Sequence, residues 1–201
     1  AKPVRAAAQH LLAGDCRAVM GPAAMITYAA DWSEWNAVQH ADDPGGVVFH
    51  LDPLWADPAI SCVGVDWYPP ISDWRDGTDH LDATAGWRGP SDPAYLAARV
   101  QGGEAYDWFY ASDAAREDQA RTAITDGAHG EPWVWRAKDI LGWWSHAHHD
   151  RIDGERYGTA TAWTPGMKPV RMIEFGCAAI DKGPNAPNLF LDPKSAESAV
   201  P

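Results

Sequence analysis

Three stretches of the chain are almost continuously apolar, and each stops at a carboxylate. "AAMITYAAD" ends at Asp31, "AISCVGVDWYPP" carries Asp66 just before Pro69 and Pro70, and "KPVRMIEFG" ends at Glu174. Unbroken apolar runs of this length suit strands of a parallel sheet covered on both faces, where alternation is lost. Ahead of them, "PVRAAAQHLLAGDCRAVMG" has apolar residues at helical spacing, with proline near its front and glycine behind it. It predicts a helix from about Pro3 to Met20. In parallel α/β barrels the functional groups stand at the C-terminal ends of the strands. Three acidic strand ends therefore predict an α/β barrel architecture, with a doubly wound open sheet as the alternative.

Between the second and third strands the pattern changes. "DPAYLAARVQGGEAYDWFYASDAAREDQARTAIT" predicts two helices interrupted near Gly102 and Gly103. The following segment, through "WTPG", is aromatic, glycine-bearing and poorly periodic. It predicts a long excursion over one end of the fold, with a short hairpin within it. The insertion covers about residues 73–165.

Composition sharpens this picture at two points. Twelve tryptophans in 201 residues is a large share, and indole offers a flat face for packing or for stacking on a sugar. A formal charge of −12 opposes phosphate-mediated nucleic-acid binding and docking on anionic lipid. The sequence has no apolar run of membrane-spanning length and no apolar signal core at its start. The three cysteines (Cys16, Cys62, Cys177) lack metal-ligand spacing and read as small hydrophobes.

The candidate chemistry centres on Glu174, a carboxylate that must be solvated, paired or kept for reaction. Asp31 and Glu34 in "ADWSEW" also fit a helix capping box. In "VDWYPPISDWRDG", Asp66, Trp67, Tyr68 and Trp74 resemble a carbohydrate subsite, with rings for the sugar's CH faces and acids for its hydroxyls. A structured loop with inward tryptophans and solvated ion pairs explains the same residues equally well. "PWVWRAKDILGWW" adds Trp135 as a groove candidate, packing or subunit contact being the competing role. "SHAHHDR" brings His146, His148, His149 and Asp150 together, but no further ligand cluster lies near them in sequence. Solvated histidines are expected there, and no metal.

The motifs "ITYAADWSEW", "FHLDPLWADPAISCVGVDWYPPISDWRDGTDHLDA", "ITDGAHGEPWVWRAKDILGWW" and "MIEFGCAAIDKGPNAPNLFLDPKSAES" occur in this order. Together they resemble the glycoside-hydrolase-like TIM-barrel domain of gene transfer agent and phage tail-tip proteins. That resemblance implies a partial TIM (β/α)8 barrel, with about strands 5 to 7 present and residues 1–201 forming its C-terminal part. It implies that Glu174 matches the seventh-strand nucleophile of retaining glycosidases, and that the fourth-strand acid/base glutamate lies before Ala1. Asp31, Trp32, Asp66, Trp67, Tyr68, Trp74 and Trp135 would then bind substrate. No cofactor is implied, because two carboxyl groups suffice. The implied partners are polysaccharide or peptidoglycan glycan and other tail or baseplate subunits, in a particle assembled in the cytoplasm. The competing expectation is a non-catalytic structural or adhesive baseplate module on the same scaffold.

Overall fold

A computed structural model describes residues 2–39, 42–43 and 45–189, with side chains from residue 8 onward. The end of the fourth motif, residues 190–198, lies outside the described residues. In chain order the elements are α1 (Lys2–Met20), β1 (Ala29–Asp31), α2 (Asp52–Trp55), β2 (Val63–Trp67), α3 (Leu81–Thr84), α4 (Pro93–Val100) and β3 (Trp108–Phe109). They continue as α5 (Asp113–Glu117), β4 (Thr122–Ala123), α6 (Ile140–Ser145), β5 (Arg151–Ile152), β6 (Glu155–Arg156) and β7 (Val170–Phe175). Two compact units divide the chain: residues 1–67 with 140–174, and residues 68–139 with 175–201.

In the first unit the three predicted strands lie in one sheet, ordered β1-β2-β7. β1 and β2 are parallel, and their register sets Asp31 opposite Asp66. Val63 and Val65 of β2 are fully buried, as a central strand requires. Gly64 is needed between them, since a Cβ there would stand 2.7 Å from the Tyr28 carbonyl oxygen. β1 is shorter than the apolar run predicts, for a local reason. Arg17 donates to the carbonyls of Ala24 and Ala59 and to Ser61 Oγ, and Thr27 Oγ1 donates to the Cys62 carbonyl. Ahead of Ala29 these side-chain bonds work beside one backbone bond, from the Ser61 N–H to the Ile26 carbonyl at 2.7 Å. Helix α1 ends as predicted, at Gly21 (φ 84°), whose N–H returns to the Arg17 carbonyl.

β7 departs from expectation. Its apolar run predicts cover on both faces, yet Arg171–Phe175 are all exposed, Phe175 at 75%. As an outer strand of the described sheet it has a paired neighbour on one side alone. The described residues thus form a three-stranded sheet and not a closed barrel.

Tryptophan and histidine build the core of this unit. Trp143 packs against Trp35 at 4.8 Å and against Trp163 at 4.4 Å between ring centroids, and Phe49 stacks on His148 at 4.4 Å. His148 is fully buried, where the sequence predicts solvated imidazoles. Its Nδ1 meets Asp52 Oδ2 at 2.8 Å and its Nε2 meets the Trp143 carbonyl at 2.8 Å. The predicted short hairpin is β5–β6, turning through Asp153 (φ 53°) and Gly154 (φ 75°).

In the second unit α4 is the first of the two predicted helices, capped by the Asp92 side chain. The second breaks up. β3 pairs antiparallel with β4, Trp108 opposite Ala123, and between them Ser112 caps the short α5. Gln119, in left-handed backbone (φ 51°), stands between α5 and β4. The polar core of the unit is Asp73 and Asp82 bridged by Arg121, at 2.7 and 2.9 Å.

Candidate functional site

The rim of the first unit's sheet gathers three carboxylates. Asp31 and Asp66 are register partners at the ends of β1 and β2, and Glu174 stands one residue before the end of β7. The Asp66 carboxyl is pushed above its usual range by burial, then by the charges of Glu174 and Asp31. One of its oxygens, Oδ1, is buried and meets no hydrogen-bond donor among the described residues. A group with a raised pKa, like-charged neighbours and an unmet acceptor fits a functional position better than a structural ion pair.

The capping-box reading of "DWSE" is partly realised. Asp31 Oδ1 accepts from the Ser33 N–H at 2.9 Å and from the Ser33 hydroxyl at 2.6 Å. The chain turns there without continuing into a helix. Glu34 instead accepts from the Tyr28 hydroxyl at 2.9 Å, so it is absorbed locally.

Asp66 allows a direct test by stability. Its folded pKa is raised, so the folded state binds more protons than the unfolded chain just above the unfolded carboxyl range. The associated stability is complete below that range and is lost as pH climbs through the folded value. Asp66→Asn is expected to flatten that loss as pH rises above the ordinary carboxyl range and to raise the melting temperature at pH 7 by about 1–2 °C, the scale of a screened charge. Melting curves of both proteins across this range check it; an unchanged pH profile would show that the three carboxylates do not interact.

The remaining sequence candidates are placed as follows. Trp32 is half-buried beside Asp31 in the chain. Trp67 is buried, packed edge-on against Trp35 at 6.4 Å, so its ring serves the core. In the second unit, Trp74 is half-buried with its ring against His80 and Tyr95, and its backbone is tied to Asn185. Trp135 is half-buried at the end of a 3-10 turn, Pro132–Trp135. Tyr68 lines a cavity of about 340 Å³ with Phe175, Gly176, Cys177, Ala178, Pro187 and Leu189. Of that set, sequence reasoning names only Tyr68 as a site residue and reads Cys177 as a small hydrophobe. The signal it passes over is Gly176 (φ 151°), where the chain turns directly after β7.

The histidine cluster is taken up by structure. His146 Nδ1 meets the Gly142 carbonyl, His149 Nδ1 meets the Tyr157 carbonyl, and Asp150 accepts from the Phe49 N–H. Among the described residues no group of three or more His, Cys, Asp or Glu side chains is placed to hold a metal. No described helix is long and apolar enough to cross a membrane.

Helices and a sheet with parallel pairing whose strands end in acids define a domain of the α/β class, of the kind from which TIM barrels are assembled. The family model for the GTA TIM-barrel-like domain matches residues 3–201, and the chain belongs to that family. The resemblance to the gene transfer agent domain, drawn from the ordered motifs, is thereby upheld. No curated protein matches the chain.

Proposed function

We propose that the domain engages a cell-surface glycan at the rim of Asp31, Asp66 and Glu174, as part of the tail tip or baseplate of a gene transfer agent particle. The grouping of three strand-end carboxylates around Asp66 carries this reading. Carboxylates accept hydrogen bonds from sugar hydroxyls, and an acceptor already stripped of water loses little more on binding. The charge of −12 favours a neutral glycan over a polyanionic one. Glu174 is the residue assigned to attack an anomeric carbon in a retaining reaction, in which a second carboxyl protonates the leaving oxygen. Asp31, Trp32 and Asp66 orient the sugar. The proposed setting is particle-associated, with neighbouring tail subunits as protein partners.

One observation favours a second reading, adhesion without turnover. Glu174 lies on a fully exposed stretch of β7, and a nucleophile open to bulk water lacks the dry surroundings that strengthen transition-state electrostatics. Retention on immobilised peptidoglycan and on neutral polysaccharide, with reducing-end release measured in parallel, separates the two. Glu174→Gln is expected to weaken retention about tenfold, or about 1.4 kcal/mol. Release that disappears in this variant establishes cleavage, and retention with no release by the unsubstituted chain establishes the adhesive module. A chain that retains neither polymer overturns both.

A further inference from the structure

Lys138 is a buried cation whose hydrogen-bond partners are neutral. It is 1% exposed, and its Nζ donates to the carbonyls of Pro70, Gly102 and Glu104 at 2.6, 2.8 and 2.9 Å, all within the second unit. Carbonyl dipoles replace only part of the hydration that an ammonium gives up. Burial pushes the amine down to about 7 against the pull of Glu104, with Arg99 adding to the fall and Asp107 opposing it. Those three charges have closer partners. Glu104 pairs with Arg116 at 2.6 Å, Arg99 with Asp82 at 2.6 Å, and Asp107 accepts from the Gly103 N–H at 2.7 Å. On the lysine's own segment Arg136 pairs with Asp139 at 3.8 Å. Residues 69–72, which bring the Pro70 carbonyl, carry no ionisable side chain.

Two of the three acceptors flank a strained turn. Gly103 (φ 72°) and Ala105 (φ 63°) are both left-handed, a conformation that costs a residue bearing a Cβ. The turn leads into β3: the Ala105 N–H donates to the Trp108 carbonyl at 2.9 Å, and the Asp107 N–H to the Gly103 carbonyl at 2.8 Å. Through Glu104 and Arg116 it also holds α5. The third acceptor, Pro70, comes from a segment more than thirty residues earlier. The ammonium is thus a tie between that segment and the turn.

We propose that Lys138 is a proton-coupled latch: it fastens the 102–105 turn to the Pro70 segment, and the turn opens by releasing the amine to water, where it takes up a proton. Opening frees the root of the β3–β4 hairpin and the hold of Glu104 on α5. The inference is independent of the glycan reading. Its pH dependence has a definite sign. Between about 7 and the ordinary lysine value of 10.5, the closed turn binds fewer protons at Lys138 than the open one. Closure is therefore strongest above the ordinary value and weakens as pH falls toward 7. Below 7 both forms are charged and the dependence ends.

Amide exchange of the whole chain between about pH 7 and 8.5, with intrinsic rates divided out, tests the latch. The opening equilibrium at Gly103, Ala105 and Asp107 is expected to fall about tenfold or more across that range, as uptake of one proton requires. The amides of Val63 and Val65, in the first unit's sheet, should show no such fall. Lys138→Met has no proton to take up, so the fall should vanish although the turn opens more often. A second measurement stands whether or not that variant folds. The Lys138 Cε resonance of the unsubstituted chain should titrate at about 7, and Glu104→Gln, which removes the main charge favouring the ammonium, should move that midpoint lower. A fall that persists in Lys138→Met overturns the latch. So does a fall shared equally by Val63 and Val65, the absence of any fall, or a lysine titrating at its ordinary value.

Discussion

Replacing Lys138 by methionine is expected to cost about 3–5 kcal/mol of folding free energy, more than any change at the carboxylate rim. The Lys138 side chain is 1% exposed, and its Nζ donates to the carbonyls of Pro70 at 2.6 Å, Gly102 at 2.8 Å and Glu104 at 2.9 Å. Three hydrogens meet three acceptors, so the ammonium is fully satisfied. Burial pushes this amine down to about 7, while the three carbonyls favour the charged form against that pull. The acceptors belong to segments with no strand ladder to bind them. Gly103 (φ 72°) and Ala105 (φ 63°) hold the 102–105 turn in left-handed backbone, aiming its carbonyls inward. Methionine keeps the aliphatic stem and removes all three donors, and each orphaned acceptor costs about 1–3 kcal/mol before relaxation. Arginine is not expected to rescue, because a planar fork does not match a tripod. Urea unfolding at pH 6, where the lysine is charged, with amide exchange at Gly103, Glu104 and Ala105, measures the loss. A change under about 1 kcal/mol would mean that water replaces the ammonium.

This lysine also shows where reading a sequence stops. Its partners lie 34 to 68 residues away and are backbone atoms, which carry no residue-type signature. The three acidic strand ends were legible because a carboxylate closing an apolar run is a local pattern, and parallel pairing then brings such ends to one rim. Helix α1 was legible for the same reason, through its apolar spacing and terminal glycine. The exposure of β7 was not, since an apolar strand reads alike whether its faces are covered or open. Trp67 and His148 were misplaced by the opposite error. An indole beside an acid resembles ligand chemistry and an imidazole in a histidine-rich loop reads as solvated, and only long-range packing, Trp35 for one and Asp52 for the other, places them in the core. The second helix of the insertion failed because tertiary pairing of β3 with β4 outweighed helical propensity over a short stretch.

Asp82→Ala is expected to destabilise the second unit by about 3–5 kcal/mol, the cost of leaving buried charges without their counter-ion. Asp82 is 1% exposed. Its oxygens accept from Arg99 at 2.6 Å, from Arg121 at 2.9 Å and from the Tyr95 hydroxyl at 2.8 Å. Burial pushes the Tyr95 phenol up, which keeps it a donor. Arg121 connects this carboxylate to Asp73 and lies over the Trp108 ring at 4.3 Å; against the pull of burial, the hydrogen bonds to Asp73 and Asp82 keep its guanidinium above its ordinary range. Removing Asp82 takes this counter-charge from two largely buried guanidinium groups, Arg99 and Arg121, and leaves Arg121 its ion pair with Asp73. Asp82→Asn keeps the shape and two acceptor lone pairs but not the charge, so about half the loss is expected. A double-mutant cycle with Arg121→Ala should return a coupling of about 1–3 kcal/mol, because the second substitution removes one of the stranded charges. Additive losses would instead make Asp82 a packing residue, and the network would then be several independent pairs whose proximity has no energetic consequence.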